Sequence, residues 1–178
     1  MVEPVETTHE GLDKLDQRGS GGLDKLDQRP TFRRGVRMAL DWGKARIGVA
    51  ACDADGTLAY PVETVQTHEA GRRLTQLLAD YEPIEVIVGL PRTLAGGEGI
   101  AAGHIREQLA PLVAAHPGIG WRFADERLTT VDASRRLRAA GRNTRRQRAV
   151  IDQAAAVAVL EQALAVERAT GRAPGEPA

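Results

Sequence analysis

From residue 35 onward the chain alternates short apolar runs with polar turns, and the period of the pattern changes along its length. GVRMALD (35–41) and ARIGVAA (45–51) are β-type runs joined by a tight turn containing Gly43, and TLAYPVETV (57–65) follows DADG, a turn signal. These three runs predict an antiparallel meander. The spacing then becomes helical: residues 69–80 carry Leu74, Leu77 and Leu78, and Pro83 bars continuation. IEVIVGL (84–90) is nearly all apolar, as a strand covered on both faces would be. A GGEG loop (96–99) leads into a predicted helix over 100–115, and HPGIG turns into WRFAD (121–125). Thr129 or Thr130 can cap a helix that runs to Ala140 and stops at Gly141, and a last helix is predicted over 145–169. The order is β-β-β-α-β-α-β-α-α. It predicts an α/β architecture: a mixed five-stranded sheet, three antiparallel strands and then crossovers, with helices on both faces.

The ends do not share this pattern. The octapeptide GLDKLDQR occurs at 11–18 and again at 22–29, in polar, Gly-rich surroundings. Two copies cannot stack into a solenoid, so residues 1–33 are expected to be a disordered tail. GRAPGEPA (171–178) reads the same way, because Gly and Pro end any helix there. The folded domain is expected over 34–170.

Composition narrows the class. Lys plus Arg and Asp plus Glu are 24 each, so only the distribution of charge can announce a nucleic-acid binder. Aromatics are few, so Ala, Val, Leu and Ile must fill the core. The one cysteine, Cys52, cannot make an internal disulfide, and four scattered histidines give no zinc-ligand spacing. No apolar run is seen to approach the roughly 18 residues of a membrane span, and the N-terminus lacks the pattern of a signal peptide. The expectation is a soluble, cytoplasmic protein that does not bind membranes.

Acids at three places stand out against this background. Asp41 ends the first apolar run, although burying a lone carboxylate is costly unless a cation, a metal or hydrogen bonds compensate it. Asp125 and Glu126 end the fifth strand. Asp152 lies on the stripe of Ala155, Ala156, Val159, Leu160, Ala163 and Leu164, the predicted buried face of the last helix. If strands one and five both neighbour strand four, their carboxyl ends converge and the last helix can add a third carboxylate. Converging carboxylates repel one another, and oxygen-only ligands at a partly open site suit Mg2+ or Mn2+. Two such ions roughly 3.5 to 4 Å apart can activate a water and stabilise the leaving oxygen of a phosphodiester. Each acid also has a structural reading. Asp41 could pair with Lys44 or Arg46 in the turn, Glu126 with Arg127, and Asp152 with Arg148.

A phosphate substrate is indicated independently. RRLRAAGRNTRRQR (135–148) holds seven arginines and no acid, between the two acidic elements. Arginine's bidentate fork suits phosphate, and a one-signed cluster gives salt-sensitive binding to a nucleic-acid backbone. A solvated basic helix face is the alternative. No aromatics interleave the run, so base stacking is not indicated. GGEG lacks the GK[ST] ending of a P-loop, and neither Ser134 nor Cys52 has the surroundings of a nucleophile.

DWGKARIGVA (41–50), VGLPRTLAGGEG (88–99), ADERLTTVDASRRL (124–137) and IDQAAAVAVLEQAL (151–164) resemble the successive motifs of the bacterial YqgF/RuvX family, in the family's order over about residues 35–165. The resemblance implies an RNase H-like fold and a metal-dependent nuclease that matures the 5′ end of pre-16S rRNA; the family is also described as Holliday junction resolvases. It places the acidic triad on Asp41, Glu126 and Asp152, with divalent metal there and Lys44 and Arg46 beside it to meet phosphate. Thr93 and Ala95 stand where family members commonly carry Asn and Asp, which weakens any role for that loop but not for the triad. The expected mechanism has Asp41 bridging two ions, Glu126 and Asp152 holding one each, and Arg142, Arg145 and Arg146 binding the backbone of RNA or branched DNA. The alternatives are a junction resolvase acting as a dimer and a non-catalytic nucleic-acid-binding factor in transcription. A monomer and a homodimer are both compatible with the sequence.

Overall fold

The computed structural model describes residues 31–91, 99–125 and 145–178. The meander forms as the pattern predicts: β1 (Arg37–Trp42), β2 (Arg46–Cys52) and β3 (Ala59–Gln66) are antiparallel. α1 (Ala70–Tyr81) ends with Glu82 in the left-handed region, its N–H donating to the Leu78 carbonyl, and Pro83 follows. β4 (Glu85–Leu90) lies parallel to β1, α2 (Ile100–Ala115) crosses over, and β5 (Gly120–Asp125) lies parallel to β4. α3 (Arg145–Thr170) completes the body. β4 therefore sits between β1 and β5, the adjacency that convergence of the acids requires. The expected helix ending near Ala140 lies outside the described residues.

Strand alternation sorts the core into two unlike layers. Met38, Leu40 and Trp42 of β1, with Val86, Val88 and Leu90 of β4, face α1 and α2 and pack on Leu74, Leu77, Leu109 and Leu112. Ala39, Ala50, Cys52 and Ile87 face α3 and pack on Ala155, Ala156, Val159, Leu160, Ala163 and Leu164. On the α3 side the sheet presents mostly small residues, and so does the helix, so the two backbones approach closely. That close approach brings a charged residue on α3 up to the strands.

Two expected boundaries move. The sheet has six strands, in the order β3-β2-β1-β4-β5-β6, because residues 176–177 pair antiparallel with β5 as β6 (Glu176–Pro177). The C-terminal stretch is thus not a disordered tail. Arg122 donates to the carbonyls of Pro174 and Gly175, Arg106 pairs with Glu176 at 2.7 Å, and Gly175 takes φ +66° where a Cβ would strike the Phe123 carbonyl. These contacts cover an otherwise open sheet edge. At the other boundary, Phe32 packs on the α3 layer and Arg33 bonds to Glu85 and Glu167, so the body begins before residue 34. The GLDKLDQR repeats lie outside the described residues.

α3 also corrects one compositional reading. Ala149–Thr170 is long and apolar enough, at mean hydropathy 1.5, to cross a membrane by length and composition. Its apolar face packs on the sheet, and its two buried acids, Asp152 and Glu167, pair with arginines of β2 and β1, as in the core helix of a globular domain.

Candidate active site

The site is built on the carboxyl end of β1. Asp41 is only 2 % exposed and shares the α3 face with its register partners, Gly48 of β2 and Gly89 of β4. Two glycines beside one carboxylate leave a floor without side chains. α3 uses that space: a Cβ on Gly48 would lie 2.0 Å from the carbonyl oxygen of Asp152. A glycine inside a strand marks such close backbone approach. Asp152, 6 % exposed, is thereby set down next to the strand pair that carries Asp41.

Two further contacts reach the first turns of α3. Thr64, opposite Gly48 in β3, donates through Oγ1 to the Ala149 carbonyl at 3.0 Å. Arg46 Nε donates to Asp152 Oδ2 at 2.8 Å, a charge-assisted bond. The β1–β2 turn that supplies Arg46 is itself held. Gly43 N–H bonds the Arg46 carbonyl, while Thr67 donates to the Gly43 carbonyl through its hydroxyl and to the Ala45 carbonyl through its N–H. On the opposite face Trp42 Nε1 donates to Gln108 of α2 at 2.8 Å, tying the end of β1 down from both sides.

Of the residues expected from the sequence, the structure brings together Asp41, Asp152 and Arg46. Lys44 is exposed at the turn beside them. Arg46 pairs with Asp152, and the side chain of Arg148 lies outside the described residues. β5 ends at Asp125, in register with Leu90, and Glu126 follows outside the described residues, as does Arg142. Arg145 and Arg146 begin α3, and their side chains lie outside the description. Among the described residues no three His, Cys, Asp or Glu side chains group to hold a metal. The two carboxylates present are compatible with one: both are oxygen donors and both are buried. Gly48 and Thr64 were missed by sequence reasoning, although a lone Gly in the strand ARIGVAA was a usable signal.

A second charged cluster lies at the amino end of the same strands. Arg37 Nη2 bonds Glu167 Oε1 at 2.8 Å, and Arg33 bridges Glu167 at 2.7 Å and Glu85 at 2.9 Å. Arg122 stands 3.9 Å from Glu85. Burial pushes the Glu167 carboxyl up, but the hydrogen bonds from Arg33 and the charge of Arg37 outweigh it and leave the group below the usual carboxylate range. The same bonds to Glu167 and Glu85 raise the Arg33 guanidinium above its ordinary value. Here opposite charges interlock, which is the arrangement of a structural network.

A mixed sheet of this strand order, helices on both faces, and buried acids at the carboxyl end of its first strand define an α/β domain of the RNase H-like class. Ligands of such sheets bind outside the carboxyl ends of the parallel strands, where Asp41 lies. Within that class the chain belongs to the RuvX family, described as Holliday junction resolvase, whose profile matches residues 35–166. A Streptomyces coelicolor protein named "Putative pre-16S rRNA nuclease" is 57 % identical over 150 residues, covering 83 % of this chain and 90 % of that protein. One of the same name from Cutibacterium acnes is 56 % identical over 131 residues, 73 % and 82 % of the two chains. Among solved structures, Thermus thermophilus RuvC in complex with a Holliday junction substrate matches with TM-score 0.54 over 81 % of this chain and 99 % of that one. At 15 % identity that likeness is one of fold.

Proposed function

We propose that the chain is a divalent-metal-dependent endonuclease that hydrolyses phosphodiester bonds and matures the 5′ end of pre-16S rRNA in the bacterial cytoplasm, with Asp41, Glu126 and Asp152 as its catalytic, metal-holding residues. The observation that carries the reading is the pair of buried carboxylates, Asp41 and Asp152, seated on one face across the Gly48 contact. The names of the relatives support the substrate. Mg2+ or Mn2+, when bound, supplies activation of water and stabilisation of the leaving oxygen. The protein's part is to hold three acidic oxygens in place, to keep Asp41 out of bulk water, and to offer Lys44, Arg46, Arg142, Arg145 and Arg146 to the nucleic-acid backbone. This assignment needs one copy of the chain.

The family description favours a second reading, resolution of four-way DNA by the same residues in a homodimer. The deciding experiment is cleavage of labelled pre-16S RNA and of a four-way DNA junction, with magnesium, manganese or chelator, by wild type and Asp152→Asn. RNA cleavage that needs both metal and Asp152 supports the first reading. Junction cleavage alone replaces it with the second, and binding without cleavage of either leaves a non-catalytic nucleic-acid-binding factor.

A further inference from the structure

α3 carries two buried acids, each paired with an arginine of the sheet, and the two pairs differ in one respect. In Arg37–Glu167 both side chains are 1 % exposed, so neither can leave. In Arg46–Asp152 the carboxylate is 9 % exposed but the guanidinium 27 %. The cation of this pair reaches solvent more freely than the anion. Nor do the flanking elements depend on the pair. The first turns of α3 are held by the Gly48 contact and by Thr64, and the turn before Arg46 by Gly43 and Thr67. Its role is then charge compensation of Asp152 rather than scaffolding.

We propose that Arg46 is the resident counter-cation of Asp152: a divalent cation displaces it, and the freed guanidinium takes a substrate phosphate, so that metal loading and nucleic-acid binding are coupled through one side chain. The inference rests on the reading of Asp41 and Asp152 as metal-holding residues and states how that site is loaded. A guanidinium and a divalent cation repel each other at a shared carboxylate in a low-dielectric setting, so each weakens the other's hold. The permanent charge and planar fork of arginine suit phosphate once it is released. Coupling of this kind is reciprocal, so phosphate bound to Arg46 also favours metal at Asp152.

The test measures Mn2+ binding to the full chain by electron paramagnetic resonance, without nucleic acid, for wild type and Arg46→Gln. Arg46→Gln is expected to bind Mn2+ at least about fivefold more tightly, the lower end of ordinary site-to-site coupling. In the same protein, the Mn2+-dependent gain in affinity for a nuclease-resistant phosphorothioate RNA oligonucleotide is expected to shrink by a similar factor. Equal or weaker Mn2+ binding by a folded Arg46→Gln would overturn the proposal and make Arg46 a support for Asp152. Absence of Mn2+ binding by wild type would instead overturn the metal-site reading itself, and this inference with it. If Arg46→Gln melts far below wild type, the wild-type chain decides: the Arg46 Nε–H resonance should lose its hydrogen-bonded shift as Mg2+ saturates the site, and an unchanged resonance at saturation refutes displacement.

Discussion

Gly48→Ala tests how Asp152 is positioned, because the contact it disturbs involves backbone on both sides. The added Cβ would stand 2.0 Å from the Asp152 carbonyl oxygen and 2.4 Å from its carbon, whereas Cβ contacts under 3.0 Å essentially do not occur. The first turns of α3 must therefore retreat from β2 by about 1 Å, against the anchoring of Thr64. Overpacking of this kind costs about 1–3 kcal/mol, and for a chain of 178 residues that lowers Tm by about 2–12 °C. A displacement of about 1 Å in a group that must align with a reacting phosphate costs about 100-fold in rate. The assay pairs a thermal melt with the initial rate of metal-dependent cleavage of pre-16S RNA. Gly103→Ala in α2 is the control, since its Cβ meets nothing within 4 Å, and replacing a helical Gly by Ala should stabilise by about 0.5–1 kcal/mol without touching the rate. A Gly48→Ala protein that melted within 1 °C of wild type, by the ~2–4 °C per kcal/mol scale, and cleaved at the wild-type rate would refute the close-packing account of Asp152.

Glu167→Gln is expected to lower stability by about 3–5 kcal/mol, because it leaves the buried Arg37 guanidinium without its carboxylate; chemical denaturation measures this, and a loss below about 1 kcal/mol, the scale of an exposed pair, would contradict it. The same carboxyl sits below its ordinary range in the folded chain, so its contribution is present above the unfolded carboxyl value of about 4.3 and drains away as pH falls below it. Glu167→Gln should flatten the stability profile in that acid window. Burial pushes the Cys52 thiol up, so its stabilising neutrality is lost as pH rises above the unfolded value of about 8.5, and Cys52→Ala should remove that alkaline decline. Replacing Arg142, Arg145 and Arg146 together with Ala should weaken RNA binding and lower the slope of log affinity against log salt by up to about 2–3 units; an unchanged slope would take them out of the interface.

The parts of this fold that were legible in the sequence are those whose signal is local. β1, β2, β4 and α2 follow from runs of one period, and Asp152 was visible because an acid on an Ala-rich stripe conflicts with its neighbours. The same stripe, continued from Leu160 and Ala163, reaches Glu167, so that residue carried an equal signal and could have been flagged. What hid its meaning was distance: its partners Arg33 and Arg37 lie 134 and 130 positions away. β6 was illegible for the same reason. GEP has no strand propensity, and its order comes from Arg106 and Arg122, more than fifty residues earlier. Arg46 was expected beside the acids to meet phosphate, and its bond to Asp152 was hidden because it becomes visible only once β2 is seen to run beneath α3.

The two ends of the sheet show how one set of side-chain types serves two purposes. At the amino end, Arg33, Arg37 and Arg122 stand against Glu85 and Glu167, with Arg37 also lying over the Phe32 ring at 4.4 Å. Opposed charges, the burial of Arg37, Glu85 and Glu167, and several bonds per group make that cluster expensive to open, and it fastens residues 32–37, β4 and the end of α3 to one another. At the carboxyl end, glycines replace side chains beside Asp41, and Asp152 is met by an arginine that still reaches solvent. Packing there is tight where backbone meets backbone, at Gly48, and the guanidinium that meets Asp152 is partly exposed. On the proposed reading, a substrate phosphate or a divalent cation is met at the carboxyl end, away from the interlocked arginines and glutamates that fasten the other end of the same helix.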